Sequence, residues 1–406
     1  MTTQTATKDW TQHKIKDFGV VSTGNTPSTK KKEYYGGNYK LISPADLTDS
    51  KYIQTSHKLI TEEGLKVSRT LPRNSVLVGC IGNVGKIGMT VDEVSAFNQQ
   101  INAITCNDNF NADFVYYLLR ENRTILESKS AKVTLPILNK SNFENIDFDV
   151  PNLPEQKVIA QTLTTVQDAI AEQEKLIAKL KELKRSMMQH LFTHGIKGER
   201  TKMTEIGEVP ESWEVKKLGD ICETSSGGTP SRTKKNYYSG DILWIKSGEM
   251  NDGYINNSEE KITDDAVKNS SAKLFEAGTL LVAMYGATAG RTAILSHEAT
   301  TNQAVCGIFM NERVNLEFVR HVLILQRDFI LDQRHGGAQP NLSQTSIRNL
   351  LIPLPVIDEQ NKIAESLVAV EKKIESTQGK LLSYQHLFKT LLHELMSGER
   401  RINKIL

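Results

Sequence analysis

The sequence predicts an α+β protein: two duplicated mixed α/β domains joined by two long helices that form an antiparallel coiled coil. Three observations lead there. Apolar residues at Ile159, Leu163, Val166, Ile170, Ile177, Leu180, Met187 and Leu191 follow the 3.5-residue period of a coiled-coil seam. The same seam returns at Ile363, Leu367, Val370, Ile374, Leu381, Tyr384, Phe388, Leu391 and Leu395. Outside the helices, strand and helix patterns mix without the regular alternation of a parallel sheet.

In chain order, residues 1–9 read as a disordered tail and 10–152 as a first domain. Strand patterns fall at 15–21, 39–42 and 75–81, with Gly82-Asn83-Val84-Gly85-Lys86 as a hairpin loop and a helix over 114–126. A long helix covers 153–193. Pro154 and Glu155 suit its start: proline lacks an N–H that would be orphaned there, and glutamate complements the helix dipole. Lys181, Lys184, Arg185 and His190 crowd its end, and Gly195 stops it. Its length is ~38 residues, ~57 Å at 1.5 Å per residue. Two seam positions are polar, Gln173 and Lys184, as is Thr377 in the second helix. Residues 194–207 read as a linker, 208–355 as a second domain, 356–397 as the second long helix and 398–406 as a tail. Two helices with one narrow apolar stripe each most simply bury those stripes against each other.

The repeat is one of whole domains. Trp10 matches Trp213, an offset of 203, as Thr26-Pro27-Ser28 matches Thr229-Pro230-Ser231 and Tyr34-Tyr35 matches Tyr237-Tyr238. One inserted residue later, Asn98-Gln99 matches Asn302-Gln303 and Phe114-Val115 matches Phe318-Val319. A period this long is a duplication rather than a solenoid. Between anchors the halves diverge, which predicts two related but different ligands.

The totals exclude several classes. The chain has 406 residues, 50 Lys+Arg against 48 Asp+Glu and a net charge of +2, so any nucleic-acid binding rests on local basic faces. Cys80, Cys106, Cys222 and Cys306 form no C-x-x-C pair. The polar N-terminus and the lack of an apolar run near ~18–20 residues predict a cytoplasmic protein without membrane spans. The phosphate-loop pattern fails, because Cys80 stands at the first glycine position and Ile87 follows Lys86. No dinucleotide fingerprint appears. His190 and His194 have ligand spacing but no third ligand, so no metal is expected. Glu155-Gln156-Lys157 resembles a nuclease fragment, yet the duplicate, Glu359-Gln360-Asn361, lacks the lysine. No catalytic set remains, and the chain is expected not to be an enzyme.

A recognition surface remains. Lys30, Lys31 and Lys32 match Arg232, Lys234 and Lys235, each cluster preceding a tyrosine pair that begins with Tyr34 or Tyr237. Thr26, Ser28, Thr229 and Ser231 offer turn hydroxyls suited to phosphates. Asn83 and Lys86 on one glycine loop, and Tyr285, Thr288 and Arg291 on the other, can approach a groove, where arginine can bond guanine bidentately. Gly337 admits a close backbone, and Gln339 can bond an adenine edge. Asn98-Gln99 and Asn302-Gln303, beside apolar residues, read either as buried structural polars or as base contacts.

The ordered set resembles the specificity subunit of type I restriction–modification systems. It comprises Gly24-Asn25-Thr26-Pro27-Ser28 and Gly228-Thr229-Pro230-Ser231, the two Asn-Gln pairs, Gln339-Pro340-Asn341-Leu342-Ser343, and Glu155-Gln156 and Glu359-Gln360 at the helix starts. Leu135-Pro136-Ile137-Leu138-Asn139-Lys140 follows the Gln-Pro-Asn-Leu-Ser pattern only loosely. The resemblance implies a non-catalytic chain whose two target recognition domains each read half of a bipartite asymmetric site in double-stranded DNA. It implies that the helix pair sets the spacing and that Glu155, Gln156, Glu359 and Gln360 mark helices docking two methyltransferase subunits. Those would carry S-adenosylmethionine, this chain having no cofactor, and motor-nuclease subunits would complete the complex.

Overall fold

The computed structural model describes residues 9–132, 135–332 and 342–402. The chain divides into two compact units, and the division falls inside both long helices: one unit ends at Glu174 and resumes at Gly379, the other runs from Lys175 to Gln378. The helices are therefore not a module apart from the domains.

In the first unit, Thr11–Lys14 pairs antiparallel with Asp147–Val150, so the domain's ends meet. The expected strand over 15–21 is broken by a 3-10 turn, Ile15–Asp17, before the strand Gly19–Thr23. The turn drives Ile15 and Phe18 into the core, where both are fully buried. One antiparallel sheet orders Gly19–Thr23, Ile101–Cys106, Val76–Gly79 and Ile87–Met89. A second orders Leu59–Ile60, Tyr35–Ile42, Val94–Phe97 and Thr70–Pro72, with a parallel pairing of Leu41-Ile42 and Ala96-Phe97. Helix α1, Ala112–Glu121, is capped by Asn111, whose side chain accepts from Phe114 N at 2.9 Å. The expected helix over 114–126 is two helices, because the Asn122 amide donates back to Leu118 O at 2.9 Å and a second helix restarts at Arg123.

The long helix α2 is Leu153–His194, 42 residues. Gly195 follows it at φ +66°, left-handed backbone that a side chain would disfavour. The expected linker over 194–207 runs into a hairpin, Thr201–Thr204 with Gly207–Pro210, that crosses its end. Lys202 Nζ ties it down by donating to Glu211 O and Trp213 O, at 2.9 and 2.6 Å. With so few apolar residues the hairpin has no periodic signal.

The second unit repeats the frame. Glu214–Lys217 pairs with Leu351–Leu354, and the sheets order Glu223–Ser226, Val305–Phe309, Leu280–Ala283, Thr292–Leu295, Tyr254–Ile255 and Glu260–Ile262, Ile242–Ile245, Ala299–Thr301, Leu274–Phe275. Helix α3, Leu316–Leu325, is capped by Asn315 as α1 is by Asn111. Helix α4 is Ile357–Met396, 40 residues.

Within each unit the start of one long helix lies in the same core as the end of the other. Ile159 and Leu163 of α2 join Leu391 and Leu395 of α4 and Phe114 of α1. Met188 and Phe192 join Ile363, Leu367 and Phe318. The apolar stripe serves partner helix and domain core at once. That explains why Met188 and Phe192, one position off the expected Met187 and Leu191, are the more buried, at 5% and 4% exposure. Thr377, polar in the seam, is buried with its hydroxyl donating to Lys373 O at 2.6 Å.

Candidate nucleic-acid interface

The basic clusters form matched devices. Lys31 Nζ lies 3.1 Å from Tyr34 Oη and Lys234 Nζ 2.8 Å from Tyr237 Oη, each ammonium also facing its ring. The phenol hydrogen bond holds each ammonium above the ordinary lysine pKa, so both are cations. Lys30, Lys32 and Lys235 are exposed, as are Ser28 and Ser231. Tyr34 is half-buried; Tyr237 is 2% exposed and packs with Trp244 and Ile262. The Tyr237 ring is thus part of the domain core, with its hydroxyl meeting Lys234. Arg232 is not an uncommitted cation: it pairs with Glu260 through two nitrogens and lies over Tyr238 and Trp244, at 4.2 and 4.8 Å. The Arg232 hydrogen bond in turn holds Glu260 below the usual carboxylate range.

The glycine loops are hairpin tips. Gly79 N donates to Lys86 O at 2.8 Å and Ala283 N to Arg291 O at 2.9 Å, so the two cations leave equivalent strands. Asn83 and Arg291 are exposed; Tyr285 and Thr288 are half-buried, Thr288 donating to Ser247 O at 2.8 Å. Lys86 shares a cavity of about 330 Å³ with Arg120 and Arg123. Those two arginines carried no motif signal. Gly337 and Gln339 lie outside the described residues. The loosely matching segment nonetheless holds its counterpart's place: Leu138 N donates to Cys80 O and Leu342 N to Met284 O, and Asn139 and Ser343 each cap the next short helix.

The Asn-Gln pairs are not buried structural polars. Asn98 and Asn302 fold their own turns, while Gln99 and Gln303 are exposed and accept from the Thr26 and Thr229 hydroxyls.

Glu155, Gln156, Glu359 and Gln360, which mark the starts of the two long helices, are internal residues. All four are buried, at 3%, 2%, 9% and 1% exposure. Gln156 accepts from Asn111 N at 2.9 Å and donates to Pro151 O; Gln360 accepts from Asn315 N at 2.8 Å and donates to Pro355 O. The glutamines thus bolt each domain's buried helix to the start of a long helix. Arg401 grips Glu155 bidentately at 2.7 and 2.9 Å, and Glu359 accepts from Ile196 N and Trp213 Nε1. Buried groups need such internal partners.

Sequence reasoning missed a buried ionic cluster in the second unit. Arg320, 1% exposed, donates to Glu317 Oε2 and Asp252 O, both at 2.6 Å, and pairs with Glu371 of α4. His321 Nε2 and Lys184 Nζ also meet Glu371 Oε1, at 3.1 and 2.6 Å. Burial alone would raise the Glu371 pKa; the His321 and Arg320 hydrogen bonds override it and hold it far below the usual range. The polar seam position Lys184 was the available signal. Glu317, His321 and Glu371 are the one metal-competent group among the described residues. Arg320 and Lys184 already occupy its carboxylates, so it reads as an ion-pair cluster.

Two mixed domains, each closed by a long helix and carrying basic, glycine-bent loops, define a duplicated recognition protein. The family model described as type I restriction modification DNA specificity domain matches residues 7–182 and 210–383, and the chain belongs to that family. The MjaIX specificity subunit of Methanocaldococcus jannaschii is 26% identical over 98% of this chain and 95% of its own. The EcoR124I/EcoR124II specificity subunit of Escherichia coli is 26% identical over 65% of this chain and 64% of its own. The crystal structure of the S subunit from M. genitalium has the same fold, with a TM-score of 0.64 and 16% identity over 96% of each chain. No helix among the described residues is long and apolar enough to cross a membrane.

Proposed function

We propose that this chain is the non-catalytic DNA-reading subunit of a type I restriction–modification complex and acts in the cytoplasm. Each domain reads one half of a bipartite asymmetric site, and the helix pair spaces the domains and docks two methyltransferase subunits. Those subunits carry S-adenosylmethionine, and motor-nuclease subunits join for cleavage. The observation that carries the reading is the matched frame with unmatched tips: two equivalent hairpins present Asn83 and Lys86 in one domain but Tyr285, Thr288 and Arg291 in the other. A shared frame gives both domains one way of approaching a duplex; different tips give them different bases to read. Ser28, Lys30, Lys31 and Lys32, with Ser231, Lys234 and Lys235, are assigned to the backbone, Thr26 and Thr229 to the loops that bring them there, and Gly337 and Gln339 to a further loop contact. Docking is assigned to exposed helix faces, since the Glu-Gln pairs are internal.

The test replaces residues 10–150 with the equivalent segment of another family member and maps methylated adenines after co-expression with the methyltransferase. One half of the methylated motif should change. A change in both halves, or in neither, defeats the modular reading.

A further inference from the structure

One hydrogen bond recurs at equivalent places in the two domains. The Thr26 hydroxyl donates to Gln99 Oε1 at 2.6 Å, and the Thr229 hydroxyl donates to Gln303 Oε1. Both glutamines are exposed. Each stands on a turn folded by the preceding asparagine: Asn98 Oδ1 accepts from Gln100 N at 3.0 Å, and Asn302 Oδ1 from Ala304 N at 3.1 Å. Each threonine stands on a loop pinned from the other side, where the Tyr35 and Tyr238 hydroxyls donate to Pro27 O and Pro230 O, both at 2.6 Å. The loop presses directly on the turn. A Cβ at Gly24 would lie 2.2 Å from Phe97 O, so only glycine permits the approach.

With Oε1 taken by threonine, the amide nitrogen is the outward group. It offers two donors, and among the described residues no protein acceptor meets it. On the same loops Lys31 and Lys234 add an ammonium each. The result is a rigid donor array, the same in both domains. Identical groups in identical frames cannot distinguish two different half-sites. They fit what the half-sites share, the anionic oxygens of the phosphodiester backbone.

We propose that Thr26–Gln99 and Thr229–Gln303 are equivalent phosphate clamps that set each domain's register on duplex DNA, leaving base discrimination to the side chains that differ between the domains. The inference rests on the DNA-reading function above. Gln99 and Gln303 make the contact; Thr26 and Thr229 are positioning residues that act through them.

The test uses the full chain assembled with its methyltransferase subunits. Anisotropy titrations at several salt concentrations compare a duplex carrying the mapped site with a scrambled one. Gln99→Ala and Gln303→Ala should each weaken both duplexes by the same factor, about tenfold for a donor facing a charged acceptor. The salt slope should stay unchanged, because no cation is lost. Gln99→Glu, of the same shape but anionic, should weaken both duplexes further. Thr26→Val, which frees the glutamine, should cost about threefold on both, and Thr26→Ser should restore binding. The methylated motif should be the same in every variant. Losses confined to the specific duplex, a change at one base of the methylated motif, or unchanged affinity would each overturn the clamp. A wild-type complex that binds both duplexes equally overturns the DNA-reading function itself, and the clamp with it.

Discussion

The two units lock their buried helix to the long helices at equivalent positions with different chemistry. In the second, Arg320 and His321 of α3 engage Glu371 of α4, Glu317 of α3 pairs with Arg320, and Lys184 of α2 closes the group. In the first, the residues 204 positions earlier are Asp113, Tyr116, Tyr117 and Gln167. There the Tyr117 hydroxyl donates to Gln167 Oε1 at 2.8 Å, and Lys51, 3% exposed, meets Asp113 at 2.7 Å and Thr164 at 2.9 Å. The counterpart of Lys184 is Phe388, whose ring packs against Tyr117 with centroids 6.1 Å apart. A charged seam residue accompanies a carboxylate, and an aromatic one accompanies a phenol. The members of each set depend on one another, so a residue transplanted alone from one unit to the other should fail where the set would succeed.

The largest expected effect tests that contrast. Glu371→Ala removes the carboxylate that buried Arg320 and His321 share, leaving Arg320 with the Glu317 carboxylate, and should cost about 3–5 kcal/mol. Gln167→Ala breaks a neutral hydrogen bond and should cost about 0.5–1.5 kcal/mol. Denaturant unfolding with unit-specific fluorescence checks both, since Trp213 and Trp244 report the second unit and Trp10 the first. Equal costs would erase the distinction.

The contrast also has a pH signature. Glu371 is held below its ordinary value of 4.5, so its pairing stabilises the second unit fully above that pH and the contribution is lost as pH falls. Glu371→Gln should flatten the acid limb of that unit's stability curve below about pH 4.5. Asp46 in the first unit is lowered too: burial opposes its charge, but bonds from His57 and Ser43 prevail. Acid lability alone therefore does not separate the units; the response to Glu371→Gln does.

Where the units match most closely, the costs should be similar, with Gln360 holding one further bond, to Arg313 O. Gln156→Ala and Gln360→Ala each strand one partly buried backbone N–H, that of Asn111 or Asn315, and should cost about 1–3 kcal/mol apiece. A large disparity in paired melting experiments would show that the bolts are not equivalent.

The DNA contacts extend the comparison. Arg291→Ala should cost about 1–3 kcal/mol at one base position if it reads guanine, visible as a relaxed position in one half of the methylated motif; a uniform loss would make it a backbone contact. The smallest effect is expected from Lys31→Ala and Lys234→Ala. Each should weaken all sequences alike and lower the salt slope by about one. A base-specific change from either would mark it as a reader.

Periodicity made the long helices, their seam and the duplication legible, because an exposed amphipathic helix must repeat its apolar residues at the helical period and a copied domain must keep its framework anchors. Residue type and position alone exposed the basic clusters and hairpin tips. Only the tertiary structure decided what those residues touch. Glu155, Gln156, Glu359 and Gln360 look like surface polars at a helix start, yet packing buries them and gives them internal partners. Arg232 reads as a free cation until Glu260, 28 residues on, is folded against it. Lys184 reads as a flaw in an apolar seam until Glu371 meets it across the helix pair. Burial and partner choice arise from segments far apart in the chain, and the energy of a buried charge depends on those partners far more than on its own neighbours in sequence.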